Sequence, residues 1–184
     1  MLMARRGRDA TEVERAGHGL AEQAAALVER VGASTVAAYL AVAAEPETGL
    51  LIDRLSAQGI TVLLPLVRNG NDNDLDWAAF APGETQAGRL GLMEPTGPPL
   101  GVTAIQSAEV ICCPGLGGSI EGHRLGRGGG FYDRALARAL PAALRCLMLY
   151  DDEVLADVPN EPHDQLVDVL VTPTRTITTS AGRH

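Results

Sequence analysis

Stretches with helical spacing of apolar residues alternate along this chain with short β-branched runs. Over residues 11–31, Leu20, Ala24, Leu27, Val28 and Val31 recur at intervals of three and four, the period of a helix with one buried face. Thr11 and Glu14 are placed to form its capping box. Residues 34–40 (STVAAYL), bounded by Gly32, then predict a buried strand. Residues 48–58 return to helical spacing and stop at Gly59, and the apolar run 60–64 ends at Pro65. Strand, helix, strand in this order predicts a right-handed βαβ unit in a largely parallel sheet covered on both faces.

Residues 66–101 interrupt the rhythm. They are rich in Gly, Pro, Asn and Asp, contain the only tryptophan, Trp77, and hold a short predicted strand over 75–80. So long a connection within a compact domain is usually functional or poorly ordered. The rhythm then resumes with a strand over 109–113 (EVICC), a glycine-rich loop, a helix over 131–140, a strand over 145–150 and a last strand over 167–172. The fold class expected is α/β: one three-layer domain over residues 1–184, with ends fraying at about 1–10 and 175–184 and a mostly parallel central sheet flanked by helices. A Rossmann-like architecture, as in the NagB/RpiA/CoA-transferase-like folds, is the expectation.

Composition narrows the chemistry. All 15 basic residues are arginine, which excludes a Walker-A lysine and any lysine Schiff base. The net charge of −8 gives no electrostatic footprint for nucleic acid or for an anionic membrane, and no apolar run approaches the ~18 residues of a membrane helix. The start carries no signal-peptide pattern, so the expected location is cytoplasmic, and a monomer is expected over an obligate oligomer. Cys112, Cys113 and Cys146 form no CxxC pair. They read as reduced core residues, with the adjacent two pointing to opposite faces of one strand.

The informative segment lies between a predicted strand and a predicted helix. Gly126, Gly128, Gly129 and Gly130 can fold into a concavity lined by N–H groups, and Arg124 and Arg127 add bidentate positive charge, together a site for phosphate. Asp133, in the first turn of the helix, can hold Mg²⁺ against it. The bland alternative is a flexible surface loop. Neither G-x-G-x-x-G nor G-x-S-x-G is present: Gly118, Ser119 and Ile120 break the first, and Glu121 closes off the second.

Pro114-Gly115-Leu116, followed by residues 122–133 (GHRLGRGGGFYD), resembles the signature of 5-formyltetrahydrofolate cyclo-ligases, the methenyltetrahydrofolate synthetases. Supporting pieces follow in family order: Tyr39-Leu40, Glu45 to Thr48, the Pro65 strand end, Gly91 to Pro95, and Val158 to Asp164. The resemblance spans roughly residues 34–173. It implies an enzyme that uses ATP and Mg²⁺ to convert 5-formyltetrahydrofolate to 5,10-methenyltetrahydrofolate, releasing ADP and phosphate, with ATP and a reduced folate as its small-molecule partners.

Carried over, the resemblance implies that Arg124, Leu125, Gly126, Arg127, Gly128, Gly129, Gly130, Phe131 and Tyr132 wrap the ATP phosphates. Arg124 and Arg127 are the catalytic cations, and Arg127, Gly128, Gly129, Gly130 and Phe131 also face the folate. Leu40 and Glu45 match positions that touch the pterin, and Asp133 and Asp164 hold Mg²⁺. Without the resemblance, Glu45 and Asp164 read as turn residues. His163, His123, Trp77 and Phe80 are not expected to carry chemistry.

The chain departs from the family pattern in three places. Family members carry a further N-terminal helix with a Lys and an Arg at the phosphates, for which Arg5, Arg6 or Arg8 are the available substitutes. Gly118-Ser119 stands where the family has Phe-Asp, and Gly129 and Phe131 replace a frequent Lys and a Tyr. Two alternatives stay open: a non-catalytic nucleotide- or folate-binding relative, and another phosphate-handling α/β enzyme such as a sugar-phosphate isomerase.

Overall fold

The computed structural model describes residues 1–67, 73–88, 93–161 and 163–183, without the side chain of Arg183. Gly91 and Leu92 of the family-like Gly91 to Pro95 piece, together with Pro162, lie outside the described residues.

Chain order begins with two helices, α1 (Leu2–Arg6) and α2 (Ala10–Val31). The cap of α2 is Asp9, whose carboxylate accepts from the Glu12 N–H at 2.8 Å, so Thr11 lies inside the helix and the expected Thr11–Glu14 box does not form. Aspartate is among the strongest N-caps, worth ~1 kcal/mol over alanine, and it stands ahead of Thr11 in the chain. Gly32, at φ 71°, ends the helix in the left-handed region. Next come β1 (Thr35–Ala37), α3 (Gly49–Ala57), β2 (Thr61–Val67), β3 (Leu75–Ala79) and the hairpin β4 (Thr85–Ala87) with β5 (Met93–Pro95). The chain continues through β6 (Val110–Pro114), β7 (Gly117–Ser119), β8 (Arg124–Leu125), α4 (Phe131–Arg138), β9 (Leu144–Met148) and β10 (Val154–Leu155). It closes with β11 (Val169–Val171) and β12 (Thr176–Thr178).

Seven strands form the central sheet in the order β12-β11-β9-β6-β1-β2-β3. The five inner strands run parallel, and the antiparallel β12 and β3 close the two edges. One expectation needs correction here. The run 167–172 is not the last strand, because β12 follows and pairs with β11 from Thr176↔Val171 to Thr178↔Val169. Within residues 1–10, α1 buries Arg5 to 2% exposure against Glu153.

Strand alternation divides the core. Val36, Val62, Cys112, Cys146 and Val169 face α2 and α3, while Ala37, Leu63, Ile111, Cys113 and Leu147 face α4 on the other side. Cys112 and Cys113 therefore sit on opposite faces, as a strand requires, and both are free and buried. Each fully buried Leu or Ile in these layers, such as Leu20, Leu51 and Ile52, contributes ~1.5 to 3 kcal/mol. Pro65 does not end β2. Its missing N–H faces the side of β1, which stops at Ala37, so no ladder bond is lost.

Chain connectivity reverses at β1. From this strand the sheet grows through β2 and β3 in one direction and through β6, β9 and β11 in the other. Ligands of open α/β sheets bind beyond the carboxyl ends of the strands at such a switch. No helix among the described residues is long and apolar enough to cross a membrane.

Candidate active site

A cleft of ≈ 840 Å³ opens at that switch, beyond the ends of β1 and β6. Its size falls in the usual range of small-molecule sites. Leu40, Glu45, every residue from 124 to 133, and Asp164 line it. Every site residue expected from the sequence therefore meets in one cavity.

On the β1 side the loop is pinned from within. The Tyr39 hydroxyl donates to the Pro46 carbonyl at 3.2 Å, and the Thr48 hydroxyl donates to the Tyr39 carbonyl. Glu45 N–H reaches the Val42 carbonyl, and Val42 N–H donates back to Glu45 Oε2, both at 3.1 Å. This turn carries Ala43 at φ 54° and directs the Glu45 carboxylate inward, leaving its side chain only 10% exposed. Glu45 is thus a turn residue, but not a solvated one.

On the β6 side the chain does not pass straight into a glycine loop. It first folds β7 and β8 into an antiparallel pair, with β10 added alongside β7. This small sheet delivers Arg124 to the cleft from a strand. Beyond it, Gly128 (φ 81°) and Gly130 (φ 68°) adopt left-handed conformations that bring the backbone round into α4. Arg124 Nη2 donates to Asp133 Oδ1 at 2.6 Å. Burial works against the charged guanidinium, but the nearby Cys113 and the hydrogen-bonded Asp133 together more than offset this and hold Arg124 above its ordinary range. Across the cleft, Arg127 Nη2 lies 3.1 Å from Glu45 Oε1.

Tyr132 presents a buried hydroxyl with no partner among the described residues. Burial pushes its pKa well up, so it remains an O–H donor throughout the working pH range. Asp164 is placed by a local turn, its Oδ2 accepting from the Glu161 N–H at 2.7 Å. The neighbouring Gln165 N–H reaches Asp133 Oδ1 at 3.4 Å, which draws the two acidic segments together. Among the described residues no group of three or more His, Cys, Asp or Glu is arranged as a ready-made metal site. Two carboxylates still fit Mg²⁺, which is commonly held by one or two of them together with substrate phosphates.

A family model for 5-formyltetrahydrofolate cyclo-ligases matches residues 1–173. The chain belongs to that family. It is 41% identical over 151 residues to a 5-formyltetrahydrofolate cyclo-ligase of Mycolicibacterium smegmatis, covering 80% of this chain and 78% of the relative. The cyclo-ligase of Escherichia coli K12 is 30% identical over 151 residues, covering 79% and 81%. Among solved structures, the Aquifex aeolicus 5,10-methenyltetrahydrofolate synthetase superposes with a TM-score of 0.83 at 27% identity, over 100% of this chain and 91% of that one. A Mycoplasma pneumoniae synthetase shares the fold at 17% identity and a TM-score of 0.74, over 94% and 93% of the two chains.

Against the cyclo-ligase pattern, the arginines suggested as substitutes at the phosphates are elsewhere. Arg5, Arg6 and Arg8 are absent from the cleft lining. Arg5 is held by Glu153, Arg8 by Glu12 and Asp152, and Arg6 is exposed. The interrupted segment 66–101, by contrast, does reach the site. Val67, Leu75 and Met93 form part of the wall, and the Asn73 amide donates to the Gly129 carbonyl at 3.2 Å. Sequence reasoning missed Asn73, although its left-handed φ of 47° is one that Asn tolerates and its Asn/Asp-rich surroundings signal a turn.

Proposed function

We propose that this cyclo-ligase converts 5-formyltetrahydrofolate to 5,10-methenyltetrahydrofolate at the expense of ATP, with both substrates in the cleft beyond β1 and β6. The observation that carries this reading is the Arg127–Glu45 contact of 3.1 Å. It brings a phosphate-type loop and a carboxylate suited to a pterin edge into one cavity. Glu45 accepts paired N–H donors from the pterin's amino edge, and Leu40 packs on the ring. Residues 124 to 132 wrap the triphosphate with backbone N–H groups and two guanidinium groups.

The formyl oxygen attacks the γ-phosphorus in line, and ADP departs. The N10 amine then adds to the activated formyl carbon, loses its proton, and closes the ring as phosphate leaves. Little covalent work falls to the protein, because phosphoryl transfer is catalysed by positioning and charge neutralisation. Arg124 and Arg127 meet the charge that builds on the transferring oxygens. The protonated Tyr132 hydroxyl offers a neutral donor beside them. Asp133 and Asp164 are the residues that would hold Mg²⁺, whose chemistry is to neutralise the phosphates.

The test mixes purified protein with 5-formyltetrahydrofolate and MgATP, follows the absorbance of the methenyl product, and repeats the assay without ATP. ATP-dependent product is expected. A well-folded sample that makes none overturns the proposal, and calorimetric binding of ATP or folate without turnover would mark a binding protein instead.

A further inference from the structure

Among the described residues, the most deeply buried ion pair lies outside the cleft. Arg5 Nε donates to Glu153 Oε1 at 2.6 Å and Arg5 Nη2 donates to Glu153 Oε2 at 2.8 Å, with the two residues 2% and 3% exposed. A pair so enclosed is weak evidence of stabilisation, since desolvating two charges costs about as much as their attraction returns. Its geometry points to a different role. Arg5 Nη2 also donates to the Gly115 carbonyl at 2.6 Å, at the point where the chain leaves β6.

Gly115 is a cleft residue packed against the arginine that faces the phosphates. A Cβ there would lie 3.3 Å from Arg124 Cγ and 3.1 Å from the Leu125 carbonyl. The next residue, Leu116, donates its N–H to that same Leu125 carbonyl at 2.7 Å. Three short steps thus connect the Arg5 guanidinium to the strand that carries Arg124. Glu153 fixes the guanidinium's plane, and is itself held by the Tyr150 N–H at 3.0 Å.

We propose that Arg5, held by Glu153, is a positioning residue for the phosphate side of the cleft: it sets the Gly115 carbonyl and, through Leu116 and Leu125, the approach of Arg124. The inference rests on the reading of the cleft as the ATP and folate site. The first helix then serves the phosphates indirectly, without touching them. Lysine cannot replace this arginine, because a single ammonium does not reproduce a planar fork that spans one carboxylate and one carbonyl.

The test uses two variants chosen to fold. Arg5→Lys keeps the charge opposite Glu153, and the double variant Arg5→Met with Glu153→Met removes both charges together, a change that buried pairs often tolerate. Both are expected to melt within a few degrees of wild type. Both should show KM for ATP raised about tenfold, with KM for 5-formyltetrahydrofolate within twofold of wild type, because displacements of about 1 Å at a reacting centre carry effects of this size or larger. A purely structural role would reduce the active fraction and leave both KM values unchanged. Unchanged KM for ATP in either folded variant overturns the proposal. If wild type makes no product but binds ATP, a tenfold weaker calorimetric Kd for ATP in Arg5→Lys still supports the positioning role, and an equal Kd overturns it. Wild type that binds neither substrate overturns the reading of the cleft and this inference with it.

Discussion

Arg124 and Asp133 are partnered to each other across 2.6 Å, the one suited to phosphate and the other to a cation. With side chains only 6% and 19% exposed, each supplies the charge that the other would otherwise seek from a ligand. On the proposed reading of the cleft, arrival of Mg²⁺ and a triphosphate would offer both an exchange of partners in which no charge is left unpaired. The site is therefore preorganised without carrying an isolated buried charge, a state that is strongly unfavourable.

Removal of the cation should be felt mainly in the transition state. Arg124→Ala is expected to lower kcat for ATP-dependent product formation by about 10²- to 10³-fold, the usual effect of deleting one preorganised donor. Steady-state kinetics with varied MgATP checks this. Rates within threefold of wild type would remove Arg124 from the catalytic site.

Asp133→Asn keeps an acceptor for Arg124 but loses the negative charge that Mg²⁺ prefers. The Mg²⁺ concentration giving half-maximal rate should rise about tenfold or more, by analogy with the metal-affinity losses seen when a site's supporting groups are changed. Titration of Mg²⁺ at fixed ATP reads this directly. An unchanged Mg²⁺ profile would contradict the assignment.

Glu45→Gln replaces two acceptor oxygens by one and turns the other position into a donor facing the pterin's own N–H edge. Hydrogen bonds to a charged acceptor contribute about 1.5 to 3 kcal/mol, so KM for 5-formyltetrahydrofolate should rise roughly 10- to 150-fold. KM for ATP should move little. A variant that binds folate normally would return Glu45 to a role in shaping its turn.

The α/β rhythm was legible because buried parallel strands and amphipathic helices each impose a period, and the alternate facing of Cys112 and Cys113 follows from strand geometry alone. β7 was not legible: Gly117-Gly118-Ser119 has no strand propensity, and it becomes a strand only because β8 and β10 pair with it. β12 escaped notice as a half-exposed edge of three residues. At the site, the glycine and arginine pattern marked the loop that lines one side of the cleft, whereas the inward turn of Glu45 depends on contacts from Tyr39 and Thr48 that no spacing rule encodes. The burial of Arg5 was equally hidden, since its partner is 148 residues away.

The adjacent free cysteines predict how stability depends on alkaline pH. Burial pushes the Cys112 thiol from its ordinary value of 9.0 up to about 12. Burial likewise raises Cys113 from 9.0 to about 11, although Arg124 pulls in the opposite direction. The folded state therefore keeps these protons after the unfolded chain begins to release them. Their contribution is full below about pH 9 and is lost as the pH rises from 9 towards 11 and 12, with a limiting slope of about 1.4 kcal/mol per pH unit for each thiol. Urea unfolding at a series of alkaline pH values should show this decline, and Cys112→Ala should make it shallower. A slope unchanged by that substitution would show that other groups govern the alkaline limb.

Two glycines of the cleft-lining loop separate conformation from space. At Gly128, φ is +81° and an added Cβ would meet nothing within 4 Å, so alanine there is opposed by backbone conformation alone. At Gly126 the backbone is not in the left-handed region, and the Cβ would crowd the flexible end of Arg124, at 3.1 Å from Nη1, with the Gly128 nitrogen at an easy 4.0 Å. Gly128→Ala is therefore expected to cost about 1 to 2 kcal/mol of stability, or else to flip the loop and weaken ATP binding. Gly126→Ala should cost less stability than Gly128→Ala despite its tighter surroundings. Thermal melts and ATP titrations of the two variants distinguish the cases: a less stable Gly126→Ala would mean that crowding against Arg124, and not the left-handed turn, fixes the shape of the loop.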